Sequence, residues 1–395
     1  MIEFYVDTIV NGVAHPTLQS TEPLNLDQVW VDRYPYTQSI DLFAYCNEFD
    51  YPITISTIDT LSTIDNNDPI RYYIIHIGFF DFTIDYIKLC NNRVLELVKS
   101  QQLRILFYYH EGDNPYRIKE RLDALCREHS IDINSYVFVT GNTAARNIDN
   151  FIHFTDHELL FYLRNKNDKK ILENHGSLMR TFSSLVRTHQ WWRATALADL
   201  YSRFLLDNSY WSYNPNITVG NVIEDCPIEI DVLHLRTELE RFISQGGHSA
   251  DELTADQHND HSITYMPHYT NAYCNIVFET LFDADGSAGA FLSEKTFKPI
   301  KHGQPFVIAG CVGSLQLLRD LGYRVFDGII DNRYDTIENN TERWRVLSNT
   351  IEQIKYSDLE RFRELCLSDV EHNQRLFLAS KQARLNMLFQ ELEKK

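Results

Sequence analysis

The chain is 395 residues long, 44% hydrophobic and 23% charged, ordinary values for a globular protein with room for two domains of roughly 100–200 residues each. Its formal net charge of −18 argues against a broad nucleic-acid-binding face, because phosphates are met by clustered Lys and Arg; a narrow basic groove is still compatible with it. No window approaches the roughly 18 apolar residues that a bilayer span needs, and the start MIEFYVDTIVNG lacks a basic stretch before an apolar core, so a soluble, unexported, cytoplasmic protein is expected.

Seven cysteines (Cys46, Cys90, Cys126, Cys226, Cys274, Cys311 and Cys366) are odd in number, dispersed and without a CxxC pair. That pattern implies free thiols in a reducing compartment, not a disulfide framework or a zinc site.

Along the first half, Ile70–Ile77 (IRYYIIHI), Leu103–Tyr109 (LRILFYY) and Tyr136–Thr140 are short, aromatic and β-branched, as buried parallel strands are. Between them, Thr83–Lys99 carries Ile84, Ile87, Val94 and Leu97 at helical spacing, and Tyr116–His129 carries Ile118, Leu122, Leu125 and Cys126 on one helical face. The alternation predicts a parallel α/β sheet. The polar run Asn165–Lys170 (NKNDKK) is the expected linker, dividing an N-terminal domain, 1–168, from a C-terminal domain, 169–395.

In the second half, Leu185–Leu206 reads as a long helix and Tyr210–Tyr213 as a strand. Gln245–Ser262 reads as a polar surface loop. Cys274–Glu279 and Pro305–Gly310 are expected strands, Ser314–Leu321 and Thr341–Ile354 expected helices. Val370–Glu393 is a terminal amphipathic helix with Leu376, Ala379, Ala383, Met387 and Leu392 in its stripe. Two such halves predict two Rossmann-like domains facing a cleft, with a C-terminal helix.

Several constellations could carry chemistry. Tyr108–Tyr116 (YYHEGDNPY) starts at the carboxyl end of a strand, where open α/β sheets hold ligands. Glu111 there is the candidate general base, with Asp113 beside it; the competing reading makes Asp113 or Asn114 a helix cap with Pro115 at the first helical position. Phe138–Arg146 (FVTGNTAAR) follows the next strand and reads better as a turn than as a sugar contact. In Arg187–Arg193 (RTHQWWR), Arg187 or Arg193 could meet a diphosphate, or both could be solvated around core tryptophans. Glu279 closes Tyr269–Thr280, where it could contact base or ribose, and Asn271 or Asn275 a sugar.

The densest cluster is Ala290–Pro305 (AFLSEKTFKPIKHGQP), followed by an apolar run to Gly310 and a glycine turn, Cys311–Ser314. A strand, glycine turn and helix offer free N–H donors to phosphate; Lys295 and Lys298 would add charge for a diphosphate and Glu294 an acceptor for ribose. A solvated basic turn ahead of a buried strand is the plainer alternative. No metal site is expected: His248, His258 and His261 with Asp251, Asp256 and Asp260 match neither HExxH nor a carboxylate calcium loop and read as a solvated loop, and Asp283–Asp285 is a weak DxD pair. GxGxxG and Walker A motifs are missing, which argues against dinucleotide redox chemistry and ATP hydrolysis.

The Glu-Lys pair, an aromatic, a small apolar stretch and Pro-Phe together resemble the donor motif of fucosyltransferase-like GT-B glycosyltransferases. The longer pattern SEKTFKPI…QPF…G…L…LR.LGY..F…ID..YD, from Ser293 through Asp335, is closer still to phage- and bacterium-borne glycosyltransferases. Arg187–Arg193 resembles the opening of their C-terminal domain. The resemblance implies that Glu294 holds the ribose and Lys295 the diphosphate of a nucleotide-diphosphate sugar, a co-substrate and not a cofactor. Ser293 stands where the fucosyltransferase pattern has Thr, which keeps the hydroxyl. It further implies an inverting transfer to a glycan hydroxyl or to a hydroxymethylated base of phage DNA, and the charges of Lys295, Lys298 and an arginine would make it metal-independent. The acidic balance favours the glycan. Two other classes stay open: a non-catalytic nucleotide- or sugar-binding protein of the same fold, and an interaction role suggested by 13% aromatic residues.

Overall fold

The computed structural model describes residues 2–6, 8–10, 13–15, 41–61, 70–78, 80–165, 179–186, 189–214, 223, 226–248, 266–283 and 289–395. These form two compact units, Met1–Leu163 with Ser380–Lys395, and Arg164–Ala379.

The first unit holds strands β1 (Ile2–Val6), β4 (Thr54–Thr57), β5 (Ile70–Ile77), β6 (Arg104–Tyr109), β7 (Tyr136–Thr140) and β8 (Phe151–His153), with a small antiparallel ribbon, β2 (Thr8–Val10) and β3 (Val13–His15). The sheet order is β4-β1-β5-β6-β7-β8 and every pairing is parallel. Side chains alternate between its faces, as a period of two requires. Tyr73, Ile75, Ile105, Phe107 and Phe138 pack on one face beneath α2 (Asn92–Lys99) and α3 (Pro115–Glu128). Tyr72, Ile74, Leu106, Tyr108 and Val139 pack on the other, beneath α1 (Asp41–Glu48), α4 (Asp156–Asn165) and a helix from the chain's end. With both faces covered, the strands read as continuous apolar runs.

The second unit holds β9 (Arg180–Leu185), α5 (Trp191–Ser202), β10 (Tyr210–Ser212), α6 (Arg236–Ser244), α7 (Met266–Thr270), β11 (Ala272–Phe278), α8 (Glu294–Lys301), β12 (Phe306–Ala309), α9 (Ser314–Asp320), α10 (Asn340–Lys355) and α11 (Leu359–Leu378). Its sheet, β10-β9-β11-β12, is also parallel throughout. From β9 the chain turns through α5 to one side, and from β11 through α8 to the other. The carboxyl ends of β9 and β11 therefore flank a topological switch point, where such sheets leave a crevice for ligands. The fold is thus α/β with two Rossmann-like parallel sheets, as the alternation of elements predicts.

Three expectations need correcting. The division falls within α4, after Leu163 and not after 168. The terminal helix is two helices: α11 ends at Leu378, Ala379 is extended, and α12 (Gln382–Lys394) belongs to the first unit. Its Leu385, Leu388, Phe389 and Leu392 enter that unit's core, while Met387, placed in the stripe from sequence, is 62% exposed. Within the first unit, buried Glu158 anchors the start of α12 by accepting from Lys381 Nζ at 2.7 Å and Arg384 Nε at 3.1 Å. The long helix expected from Leu185 starts only at Trp191, because Arg180–Leu185 is the strand β9. Among the described residues no helix is long and apolar enough to cross a membrane.

Candidate functional site

Glu279 follows β11 directly and is fully buried. Its carboxylate accepts from Thr280 N (3.0 Å), Ser293 N (3.1 Å), Ser293 Oγ (2.7 Å) and Thr296 Oγ1. These bonds tie the strand's end to the first turn of α8. Ser293 caps that helix: extended backbone, with its Oγ accepting from Lys295 N at 3.4 Å. Lys295 Nζ arches over the same turn, 3.3 Å from Ser293 Oγ, 3.2 Å from Thr280 Oγ1 and 3.2 Å from Glu294 Oε1. Its side chain is 32% exposed, whereas that of Glu294 is 8% exposed. From α5, on the other flank of the switch point, Arg193 Nη2 donates to the Glu279 main-chain oxygen at 2.6 Å. Burial pushes the Arg193 guanidinium down to about 10, against the pull of Glu279 and Glu294, so it stays charged at neutral pH. Two cations and a helix N-terminus converge here, held by hydroxyls and two carboxylates.

Of the residues singled out from sequence for a donor, Arg193, Glu279, Glu294 and Lys295 come together. Glu279 organises the turn: both its oxygens face α8, not a ligand. Lys298, one turn further along, is buried rather than beside the Lys295 ammonium at the edge. Arg187 lies outside the described residues, as do Asp285, His258 and His261. Asn275 bonds Ser183 Oγ and Gln304 Oε1 inside the sheet. The glycine turn after β12 does not offer its N–H groups to a phosphate. Gly313, at φ +80°, opens α9, whose Leu315 and Gln316 N–H groups donate to the Asp335 carboxylate at 2.9 and 3.0 Å. The protein's own anion, Asp335, fills that helix end, as the Glu279 carboxylate does at the start of α8, where the Lys295 ammonium is the group left partly open.

In the first unit, Glu111 lies just past β6. Its main-chain oxygen accepts from Thr140 Oγ1 (2.8 Å) and Gly141 N (3.1 Å), and Gly112 O accepts from Asn142 Nδ2 (2.9 Å). The end of β7 thus fixes the Glu111 turn, a structural use for Thr140 and Asn142. The Glu111 carboxylate stands between two imidazoles, 3.5 Å from His110 Nε2 and 3.7 Å from His157 Nε2. His76, on β5, brings its ring centroid to 5.8 Å from that of His110. Asp113 is not part of this group: its carboxylate takes the Tyr109 hydroxyl, and burial raises its pKa. Asn114 is the α3 cap, accepting from Tyr116 N and Arg117 N, with Pro115 at the first helical position.

Sequence reading passed over Ser293 as a capping relay, Thr280 and Thr296 as its partners, and His157. Asp156–Glu158 follows β8 much as His110–Glu111 follows β6, but a three-residue strand such as β8 gives too weak a signal to mark its own carboxyl end. No protein-family model matches the chain, and neither a curated protein nor a solved structure is found to match it.

Proposed function

We propose that the chain is a GT-B-like glycosyltransferase that moves a sugar from a nucleotide-diphosphate donor to an acceptor hydroxyl. The supporting observation is the half-open Lys295 ammonium on the first turn of α8, beside the switch point of a parallel sheet. A departing nucleoside diphosphate develops negative charge, and fixed cations aimed at it lower the barrier. At an effective dielectric near 20, one cation 4 Å from one phosphate charge contributes about 4 kcal/mol. Lys295 supplies the contacting charge and Arg193 a buried charge behind it, which makes a divalent ion on the diphosphate dispensable. Ser293 and Thr280 hold the ammonium until phosphate oxygens replace them. Glu294 is paired with Lys295, so its contact with a ribose hydroxyl requires that pair to open.

On the acceptor side, Glu111 of the first unit is the proton acceptor in this reading, with an exposed edge and imidazole neighbours. The net charge of −18 favours a neutral or cationic glycan acceptor over hydroxymethylated DNA. The test is release of nucleoside diphosphate from a panel of nucleotide sugars, with glycans and hydroxymethylated DNA as acceptors. One donor–acceptor pair is expected to turn over, and Lys295→Ala to slow it by about 100-fold or more. Nucleotide binding without turnover on any acceptor would instead support a non-catalytic binding protein.

A further inference from the structure

His110, Glu111 and His157 each offer one ligand atom, and these atoms all lie within 4.8 Å of one another. His110 Nε2 lies 3.5 Å from Glu111 Oε1 and His157 Nε2 3.7 Å from Glu111 Oε2, so one carboxylate faces both rings. Both separations are close to the edge of a tetrahedron around a metal with bonds of about 2.0–2.1 Å, an edge of roughly 3.3 Å. We propose that this triplet is a binding site for one divalent first-row transition ion, with Zn2+ as its reference occupant.

Three features of the fold support a prearranged site. The Glu111 turn is fixed through its main-chain oxygen by Thr140 and Gly141. His157 sits in the first turn of α4, and both its sequence neighbours are anchored. Asp156 accepts from the Tyr45 hydroxyl at 3.0 Å and from the Tyr108 hydroxyl, and Glu158 is paired with Lys381 and Arg384. The burial is graded in the way an accessible site needs: the His157 side chain is 6% exposed, His110 17% and Glu111 31%, so an ion enters from the Glu111 side. Imidazole nitrogen with one carboxylate suits zinc and its first-row neighbours better than calcium or magnesium, which prefer all-oxygen cages. Three protein donors leave a fourth position for water or for a hydroxyl of the acceptor, and a water held there titrates near neutral pH.

The test is titration of the metal-free full chain with Zn2+, followed by calorimetry and by metal analysis after gel filtration. One ion per chain is expected. Glu111→Gln, nearly isosteric and the most exposed of the three, and His157→Ala are each expected to weaken binding at least about 100-fold, since even partners behind a ligand are worth 10–100-fold. A paired His258→Ala/His261→Ala variant, in the histidine-bearing 245–262 segment, is expected to retain the ion. No uptake below millimolar Zn2+ would overturn the site, as would uptake that survives Glu111→Gln. The outcome is separate from the donor reading, because nucleotide binding at Lys295 is measured without reference to the ion.

Discussion

Two neighbouring residues in the second unit show how differently charge can be used. Glu279 is fully buried and serves four donors, while Lys295 is one-third open and held only by exchangeable hydroxyls and Glu294. Glu279→Ala leaves buried N–H and O–H groups without an acceptor, each costing about 1–3 kcal/mol. It should therefore lower unfolding stability in urea by about 3–5 kcal/mol before any ligand is added. Lys295→Ala should stay within about 1 kcal/mol of wild type. Equal losses from the two would contradict this division of roles. Asp85 supplies a pH signature. It caps the short turn Tyr86–Leu89, and His129 Nε2 lies 2.8 Å from its carboxylate. Burial raises its pKa, but the His129 bond and the Lys88 N–H bring the net value below the ordinary one. A depressed carboxylate stabilises the fold above its unfolded pKa, near 4, and that contribution fades as pH falls through the lower folded value. Asp85→Asn keeps a capping oxygen but removes the charge that faces His129, so it should cost no more than about 1 kcal/mol at neutral pH and flatten the stability profile below pH ~4. Parallel acid limbs in chemical denaturation would contradict it.

Among the elements, those with a strong local pattern were legible. β5, β6 and β7 carry unbroken apolar and aromatic runs, and α3 an unambiguous stripe with Asn114-Pro115 at its start. β9 carries no such run. Its Ser183 and Ser184 are fully buried, with Ser183 Oγ satisfied by Asn275, so a central strand reads as a polar link. The motif segment was legible as a cluster of charges but not as a helix: Pro299 argues against one, yet Ser293 and Glu279 hold its first turn firmly enough for α8 to form. α12 was misplaced because an amphipathic stripe shows that a face is buried, not which core buries it. Leu388→Ala should cost about 2–5 kcal/mol. The loss should appear as faster amide exchange in β1 and β5, against which α12 packs, and not in β9 or β11. The reverse pattern would return α12 to the second unit.

For the whole molecule, a chain divided into two compact units need not unfold in one two-state step, and a ligand of one unit need not stabilise the other. In the second unit, Glu294 and Lys295 were legible because they are adjacent in sequence, whereas the packing of Arg193 and Glu279 against their turn is shown only by the fold. The His110–Glu111–His157 group was not legible, because α4 brings His157 back from far along the chain. The central claim is that the turn opening α8 binds a nucleoside diphosphate through Lys295. Its most direct test is a thermal-unfolding panel of nucleoside diphosphates and nucleotide sugars on wild type and Lys295→Ala. One nucleotide is expected to raise the transition of the second unit, by about 2.7 kcal/mol at a hundredfold excess over Kd, and Lys295→Ala to abolish the rise. No shift with any nucleotide, or a shift that the variant keeps, would contradict the claim.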